Sequence, residues 1–167
     1  MAIQQLLTSL NAQFPNTNAP ALNRVNGTNA GVYSLAYDDT TSEEATWQLL
    51  TNAYAAGNLR FRFKWHAATA TTGAIVLRVR LSALTGNTDS TSIEARTFGT
   101  AVQAADTHLG TTAERVHTFD IDLDSAAELN SMAADDDVIV GVARLPADAG
   151  DTMAGDLELD GVEVFEI

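Results

Sequence analysis

Cysteine is absent from the 167 residues of this sequence. That absence excludes a disulfide scaffold, a thiolate zinc site and a cysteine nucleophile. Long apolar runs are absent too, since no stretch approaches the roughly 20 residues that a membrane-spanning helix needs. The opening MAIQQLLTSL has no basic region and only a broken apolar run, so we predict no signal peptide. The sequence therefore predicts no membrane partner.

Basic residues are scarce. Nine Lys and Arg stand against 22 Asp and Glu, which gives a net charge of −13 at pH 7. Five of the nine lie between Asn58 and Ser82, a segment without a single acid. A chain this acidic repels nucleic acid, so we predict no nucleic-acid partner. It would suit a positively charged protein surface, although ordinary solubility also requires surface charge.

Signatures of catalysis are also missing. The chain has no Gly-x-Ser-x-Gly sequence and no phosphate-binding loop. The three histidines are far apart and lack metal-ligand spacing, although the fold could bring His66 near His117. We therefore predict that the protein is not an enzyme and that it has no catalytic residues and no cofactor.

Two acidic stretches resemble calcium ligands only in part. Asp120, Asp122 and Asp124 have calcium-loop spacing, but Ser125 stands where an EF-hand loop needs glycine. The run 135–137 could hold Ca²⁺ together with Asp148 or Asp151, or it could be a solvated turn. We favour the turn, because exposed acids are much commoner than metal sites. The sequence thus predicts no metal site.

The strongest pattern present is the alternation of residues 59–82. Apolar and basic side chains take opposite parities, as they do on the two faces of a strand. The apolar set is Leu59, Phe61, Phe63, Trp65, Ile75, Leu77, Val79 and Leu81, and the basic set is Arg60, Arg62, Lys64, Arg78 and Arg80. We predict two antiparallel strands with the eight apolar groups in the core.

The basic face has two interpretations. It could be an anion or partner site, or neighbouring strands could pair it with acids, namely Asp120, Asp122, Glu158, Asp160 and Glu163. We favour the internal pairing, because like charges on adjacent strands destabilise a sheet. If residues 67–73 cross between sheets instead of forming a hairpin, the basic groups form two separate stripes.

Further strands follow one another from residue 32. Strands are predicted at Val32–Tyr37, Glu44–Leu50, near Ser92–Phe98, Arg115–Leu123, Val138–Arg144 and Asp156–Ile167, with one helical turn in Ser125–Ala134. The last strand changes parity, which predicts a bulge at Asp160-Gly161. The fold class is all-β: an antiparallel, jelly-roll-like β-sandwich over residues 32–167. An immunoglobulin sandwich is the alternative.

Residues 1–31 differ from the rest and predict an extended N-terminal arm. Ala2–Ala12 could form a short amphipathic helix, and an Asn-rich stretch with two prolines follows. The arm could be a mobile terminus, or it could lie on a neighbouring subunit. Its candidate partner-binding residues are Ile3, Leu6, Leu7, Leu10, Phe14, Leu22 and Val25.

Three stretches resemble small β-rich virion proteins of tailed bacteriophages. They are PALNRVNGTNAGVYSLAYD at 20–38, GNLRFRFKWHAATATTGAIVLRVRLSAL at 57–84 and DTMAGDLELDGVEVFE at 151–166. The resemblance implies a head decoration or cement protein on the outer surface of the virion. It also implies a homo-oligomer, a trimer or dimer, that binds the major capsid protein or other virion subunits. No site residues carry over, because the resemblance includes no defined motif.

An adsorption module that binds host-surface glycans is the alternative function. Sandwich folds can bind sugars through exposed aromatic side chains, and the candidates here are Tyr33, Tyr37, Trp47, Tyr54 and Trp65. Against this, Trp47 and Trp65 share parity with core residues. A hydrolase is a third hypothesis, which would require turnover that depends on one His or Asp.

Overall fold

The computed structural model describes residues 4–167 and shows ten strands in that range. The strands are β1 (Gln4–Thr8), β2 (Ala21–Asn26), β3 (Gly31–Tyr37), β4 (Glu44–Leu49), β5 (Leu59–Ala67), β6 (Ala74–Leu84), β7 (Val102–Thr107), β8 (His117–Leu123), β9 (Asp137–Arg144) and β10 (Leu157–Glu166). Short 3-10 turns occupy Ser9–Asn11 and Ile93–Ala95. The predicted all-β class is confirmed.

Two antiparallel sheets pack face to face. The six-stranded sheet has the order β2-β3-β10-β5-β8, with β1 also paired to β10, and the four-stranded sheet has the order β4-β9-β6-β7. β1 and β3 lie end to end along one edge of β10, pairing with residues 161–165 and 157–159 respectively. This is the predicted antiparallel β-sandwich, and β10 is the strand to which the beginning of the chain attaches.

The core contains both apolar faces of the predicted alternation. All eight of those side chains, four from β5 and four from β6, are 0% exposed. Tyr37 and Trp47, which are also buried, add two further large aromatic side chains to this core. Full burial of a large apolar side chain contributes about 1.5–3 kcal/mol, so this cluster is the principal stabilising element.

The bulge predicted at Asp160-Gly161 is confirmed. Leu159 faces Trp65 across the ladder, and the next paired residue is Gly161 opposite Lys64, so Asp160 has no partner on β5. The extra residue restores the parity that turns Val162 inward. The bulge therefore keeps the whole of β10 in the core while it displays Asp160 on the outer face.

The pairing of β5 with β6 in one hairpin was predicted wrongly. β5 belongs to the six-stranded sheet and β6 to the four-stranded sheet, so residues 68–73 cross from one sheet to the other. The crossing places the two apolar faces opposite each other, where each covers the other. The basic groups consequently form two stripes on opposite outer faces, which is the arrangement foreseen for a crossing connection.

The N-terminal segment is part of the sandwich, which corrects both the predicted helix in Ala2–Ala12 and the predicted arm. β1 pairs with β10, Gln13 bridges to Thr46 of β4, and β2 pairs with β3. A helix of that length is marginal by itself, whereas the free edge of β10 supplies hydrogen-bond partners to a strand. The segment is therefore attached to the edges of both sheets.

Two further element predictions fail around residue 95. The stretch near Ser92–Phe98 contains only the turn Ile93–Ala95, and β7 lies in the Ala- and Thr-rich region 99–113, where no strand was predicted. Small residues give a weak alternation signal even where they form an edge strand. In the part of the chain that the structure describes, no helix has the length and apolar character to cross a membrane.

Candidate functional site

The basic stripe of β5 is paired with acids on the neighbouring strands. Arg60 donates Nε and Nη2 to Asp122 at 2.7 and 2.6 Å, and Arg62 binds Asp120 in the same way at 2.9 and 3.0 Å. The hydrogen bond from Arg60 lowers the pKa of Asp122. Lys64 contacts Glu163 at 2.5 Å. The predicted internal pairing is confirmed for these three cations.

The stripe of β6 uses one acid that the sequence did not indicate. Arg78 and Arg80 both bind Glu44 of β4, at 2.8 and 2.6 Å. Glu44 reaches them across Gly141 of β9, where a Cβ atom would lie only 2.8 Å from Glu44 Oε1. The ring of Phe98 lies 4.0 Å from the Arg80 guanidinium. Neither stripe is therefore an open anion site.

The predicted partner-binding residues do not form one surface. Leu7 is buried in the core, and Ile3 lies outside the described residues. The other leucines and Phe14 are exposed, with exposed fractions of 53% for Leu6, 66% for Leu10, 45% for Phe14 and 50% for Leu22. Leu6 faces outward beside Glu163, whereas Leu22 shares the opposite face of its sheet with Leu35. Val25 lines a cleft.

That cleft, of about 210 Å³, opens on the outer face of the six-stranded sheet. It lies between the β2–β3 hairpin and the segment that precedes β8. The lining residues are Val25, Gly27, Ala30, Val32, His66, Glu114, Val116 and Asp160. We call it the His66–Asp160 cleft. It combines apolar walls with a few polar groups, which is typical of small-molecule sites.

His66 and Asp160 form the polar centre of the cleft. The His66 Nδ1 atom lies 3.2 Å from Asp160 Oδ2 in hydrogen-bond geometry. The other oxygen, Oδ1, is 3.1 Å from the same nitrogen but badly aligned, and it has no hydrogen-bond partner among the described residues. Burial lowers the pKa of His66, but the hydrogen bond to Asp160 and the charges of Asp160, Glu158 and Glu114 outweigh burial and raise it.

Local structure explains why these groups meet. The bulge displays Asp160 on the outer face, and His66 is the last outward-facing residue before β5 ends. Glu158 lies opposite His66 and is held by Asn23 Nδ2 at 2.8 Å and by the Ser34 hydroxyl at 2.5 Å. The carboxylates can accept hydrogen bonds from a ligand. Sequence reasoning found the bulge, but it could not show that His66 pairs with a residue 94 positions away.

The other two histidines form a separate buried cluster. The His117 ring stacks on Trp65 at 4.4 Å, and the His108 ring lies 4.5 Å from His117, so the suggested pairing of His66 with His117 is wrong. The Trp65 Nε1 atom donates to Asp106 at 2.9 Å. Burial, followed by the charge of His108, lowers the pKa of His117. This cluster packs one end of the core.

One group of carboxylates could ligate a cation. Oxygen atoms of Asp38, Asp39 and Asp156 lie within 4.8 Å of one another, and carboxylate oxygens are the ligands that Ca²⁺ prefers. Hydrogen bonds from Thr40 and Thr41 lower the Asp38 pKa to about 2, and Asp39 accepts the Gly155 amide at 2.6 Å. These oxygens already stabilise turns.

The acidic run at 135–137 has structural partners of its own. Asp136 accepts the Ala133 amide at 2.7 Å, and Asp137 pairs with Arg96. Asp151 pairs with the buried Arg144 at 2.9 Å. The described residues therefore do not bring this run and Asp151 together as ligands.

Aromatic side chains play little part on the surface. Tyr37, Trp47 and Trp65 are buried, and the Tyr54 hydroxyl donates to the Gly57 carbonyl at 2.8 Å. Tyr33 is 44% exposed, with the Arg24 guanidinium 5.7 Å from its ring. None of these five aromatic residues lines the His66–Asp160 cleft.

No family model matches the sequence, and no curated protein sequence matches it either. Solved structures do share its architecture. CBM28, a carbohydrate-binding module specific for non-crystalline cellulose, has a TM-score of 0.51 at 12% identity, covering 93% of this chain and 88% of that one. The CBM22-2 xylan-binding domain from Paenibacillus barcinonensis has 0.51 at 12% identity, covering 98% and 99%. CBM35 from Cellvibrio japonicus has 0.50 at 13% identity, covering 97% and 92%. These identities establish the fold alone.

Proposed function

We propose that this chain is a carbohydrate-binding module that holds a sugar in the His66–Asp160 cleft. The similar structures support the proposal, because modules of this fold bind cellulose and xylan according to their descriptions. The observation that carries it belongs to this chain: an open cleft with valine walls contains the Asp160 carboxylate, which is paired with His66, and the Glu114 carboxylate. A cleft that combines apolar walls with a few polar groups suits a small ligand such as a sugar.

A sugar has groups that suit both the polar and the apolar parts of the cleft wall. Its hydroxyl groups would donate to Asp160 and Glu114, and hydrogen bonds to charged acceptors are the strong ones. Its C–H faces would contact Val25, Val32 and Val116. This mode of binding depends on hydrogen bonds and aliphatic contacts, in place of the aromatic stacking that the sequence suggested.

Binding is tested by calorimetry with oligosaccharides of cellulose, xylan and mannan. We expect D160A to weaken binding roughly tenfold or more, because a hydrogen bond to a charged group contributes about 1.5–3 kcal/mol. E114A provides a second variant on an exposed segment, in case D160A disturbs the bulge. T118A is the matched control, since Thr118 is exposed on the same outer face but outside the cleft. Wild-type affinity in both cleft variants would refute the site.

The proposed module binds its ligand without converting it. The similar structures support this, because they are binding modules. Incubation with the bound oligosaccharide should release no reducing sugar. Hydrolysis that disappears in D160N would instead assign the cleft to an enzyme.

A second candidate is the virion decoration function that the sequence resemblance implies. Exposed Leu10, Phe14 and Leu22 favour it, since apolar side chains on a surface are suited to a partner protein. In this proposal the chain forms a small homo-oligomer on the outer surface of the particle and contacts the major capsid protein. Deleting residues 2–25 is not a clean test, because that deletion also removes β1 and β2 from the sheet. The L10S/F14S/L22S variant should fold normally and lose its place on capsids, whereas unchanged occupancy would refute the proposal.

A further inference from the structure

The His66–Asp160 cleft has an excess of negative charge. Asp160 and Glu114 line it, and Glu158 lies directly opposite His66 on the adjoining strand. Among the lining residues that the structure describes there is no lysine and no arginine. Even with His66 protonated, the two lining carboxylates outnumber one imidazolium, and Glu158 adds a third negative charge on the adjoining strand.

Three cations near the cleft in the chain have other contacts. Arg24, next to Val25, lies over the Tyr33 ring at 5.7 Å, on the other face of the β2–β3 hairpin. Lys64, two residues before His66 on the same face, is bound to Glu163. Arg115 follows Glu114 in the chain, and its Nη1 atom donates to the Leu109 carbonyl at 3.4 Å. Within the described part of the chain, none of these three cations forms an ion pair with Asp160 or Glu114. A ligand that enters the cleft therefore meets a net negative charge, which selects the charge of the ligand.

We infer that the cleft prefers amino sugars, whose protonated amine supplies the missing positive charge. The inference deepens the proposed carbohydrate-binding function and rests on it. A protonated amine has three donors, which suits a cleft lined by the carboxylates of both Asp160 and Glu114, while the sugar ring contacts the valines. Charged hydrogen bonds of this kind are about twice as strong as neutral ones. Uronic acids would be repelled by the same groups.

Three oligosaccharides of equal length test the inference by calorimetry. A β-1,4-glucosamine oligomer should bind at least five- to tenfold more tightly than its N-acetylated counterpart, and a galacturonic acid oligomer should bind most weakly, given roughly 1 kcal/mol per partly buried charge pair. Raising the salt concentration should reduce this preference, because salt screens exposed charges.

Variants assign the preference to the cleft. D160N and E114Q keep a hydrogen-bond acceptor and remove the charge, so each should lower affinity for the glucosamine oligomer several-fold more than affinity for the N-acetylated oligomer. T118A should leave both affinities unchanged. Equal affinities for the charged and neutral oligomers, or a preference that survives in both charge variants, would overturn the inference and leave the carbohydrate-binding function intact.

Two outcomes distinguish a failure of the amino-sugar preference from a failure of the proposed carbohydrate-binding function. If no oligosaccharide of any kind binds, the proposed function fails and the inference fails with it. If oligolysine binds in an Asp160-dependent way while no amino sugar does, the cleft recognises a basic protein segment, and the amino-sugar preference is wrong.

Discussion

At the scale of single residues, Arg144 is the most constrained charge in the described chain. It is 0% exposed and forms a two-pronged ion pair at 3.0 and 2.9 Å with Asp151, whose side chain is 2% exposed. Its remaining donors reach the carbonyls of Met153 and Gly155, both at 2.8 Å. A buried charge is tolerated only when it is paired and hydrogen-bonded, and Arg144 meets both conditions. It attaches the 145–156 connection to the end of β9.

Replacing Arg144 should therefore be severe. We expect R144M to lower the free energy of unfolding by about 3–5 kcal/mol, because Asp151 would stay buried without a counter-charge. R144K should also destabilise the protein, since lysine lacks the planar fork. Urea denaturation measures both. A loss below about 1 kcal/mol for R144M would show that water or a local rearrangement compensates Asp151.

His117 should make the protein less stable in acid. Burial, followed by the charge of His108, lowers its pKa in the folded state, so between that pKa and the usual value of about 6.5 the unfolded chain binds a proton that the folded chain does not. The stabilising contribution is complete above about pH 6.5 and is lost as the pH falls through the folded pKa. H117F keeps a ring against Trp65 and removes the titration. Urea denaturation at pH 5 to 8 should show a shallower acid loss in H117F, and an unchanged slope would contradict the assignment.

The contribution of His66 to stability should depend on pH in the opposite direction. Although burial lowers its pKa, Asp160, Glu158 and Glu114 raise it overall, so the folded chain binds the proton more tightly than the unfolded one. Its contribution is complete below about pH 6.5 and is lost as the pH rises through the raised folded pKa. H66N should therefore lose less stability than wild type between pH 6 and 8. An identical pH profile would mean that the carboxylates do not act on His66.

At the scale of elements, features that follow from a local sequence pattern could be predicted, whereas features that depend on tertiary pairing could not. β5 and β6 alternate over long runs, and the parity change in β10 signals its bulge, so these features follow from the sequence. β1 was missed because its two leucines, Leu6 and Leu7, have helical spacing together with Ile3 and Leu10 in the sequence. Sheet membership is not encoded locally either: the link 68–73 could turn or cross. The cleft was missed for the same reason, since His66, Asp160 and Glu114 belong to three distant segments.

The inclusion of β1 in the sheet is tested through Leu7. We expect L7A to cost about 2–5 kcal/mol, the usual range for a buried leucine, because its side chain is fully enclosed opposite Val162. L10A, three residues later and exposed, is the matched control and should change stability by less than about 0.5 kcal/mol. Chemical denaturation measures both variants. Equal, small effects would restore the interpretation of this segment as a separate arm.

At the scale of the whole molecule, polar bonds join the two sheets through the core. Trp47 of the four-stranded sheet donates to the carbonyl of Thr8, the last residue of β1, at 2.9 Å, and Trp65 of the six-stranded sheet donates to Asp106 of β7 at 2.9 Å. The Tyr37 hydroxyl donates to the Val142 carbonyl at 3.2 Å. Each of these hydrogen bonds joins one sheet to the other, so the two sheets stabilise each other. Together with the pairing of β1 and β10, they tie both ends of the described chain into one unit.

The two tryptophans can show whether the two sheets unfold together, because each sheet contains one of them. W47F leaves Trp65 as the only tryptophan, and W65F leaves Trp47. In each variant we expect the fluorescence transition in urea to coincide with the transition measured by circular dichroism, as two-state unfolding requires. Each substitution also removes one bond between the sheets, so both midpoints should shift to lower urea concentration. A remaining tryptophan that reports a transition separate from the loss of β-structure would show that one sheet unfolds before the other. The connections through Thr8, Asp106 and Val142 would then be too weak to couple the two halves of the sandwich.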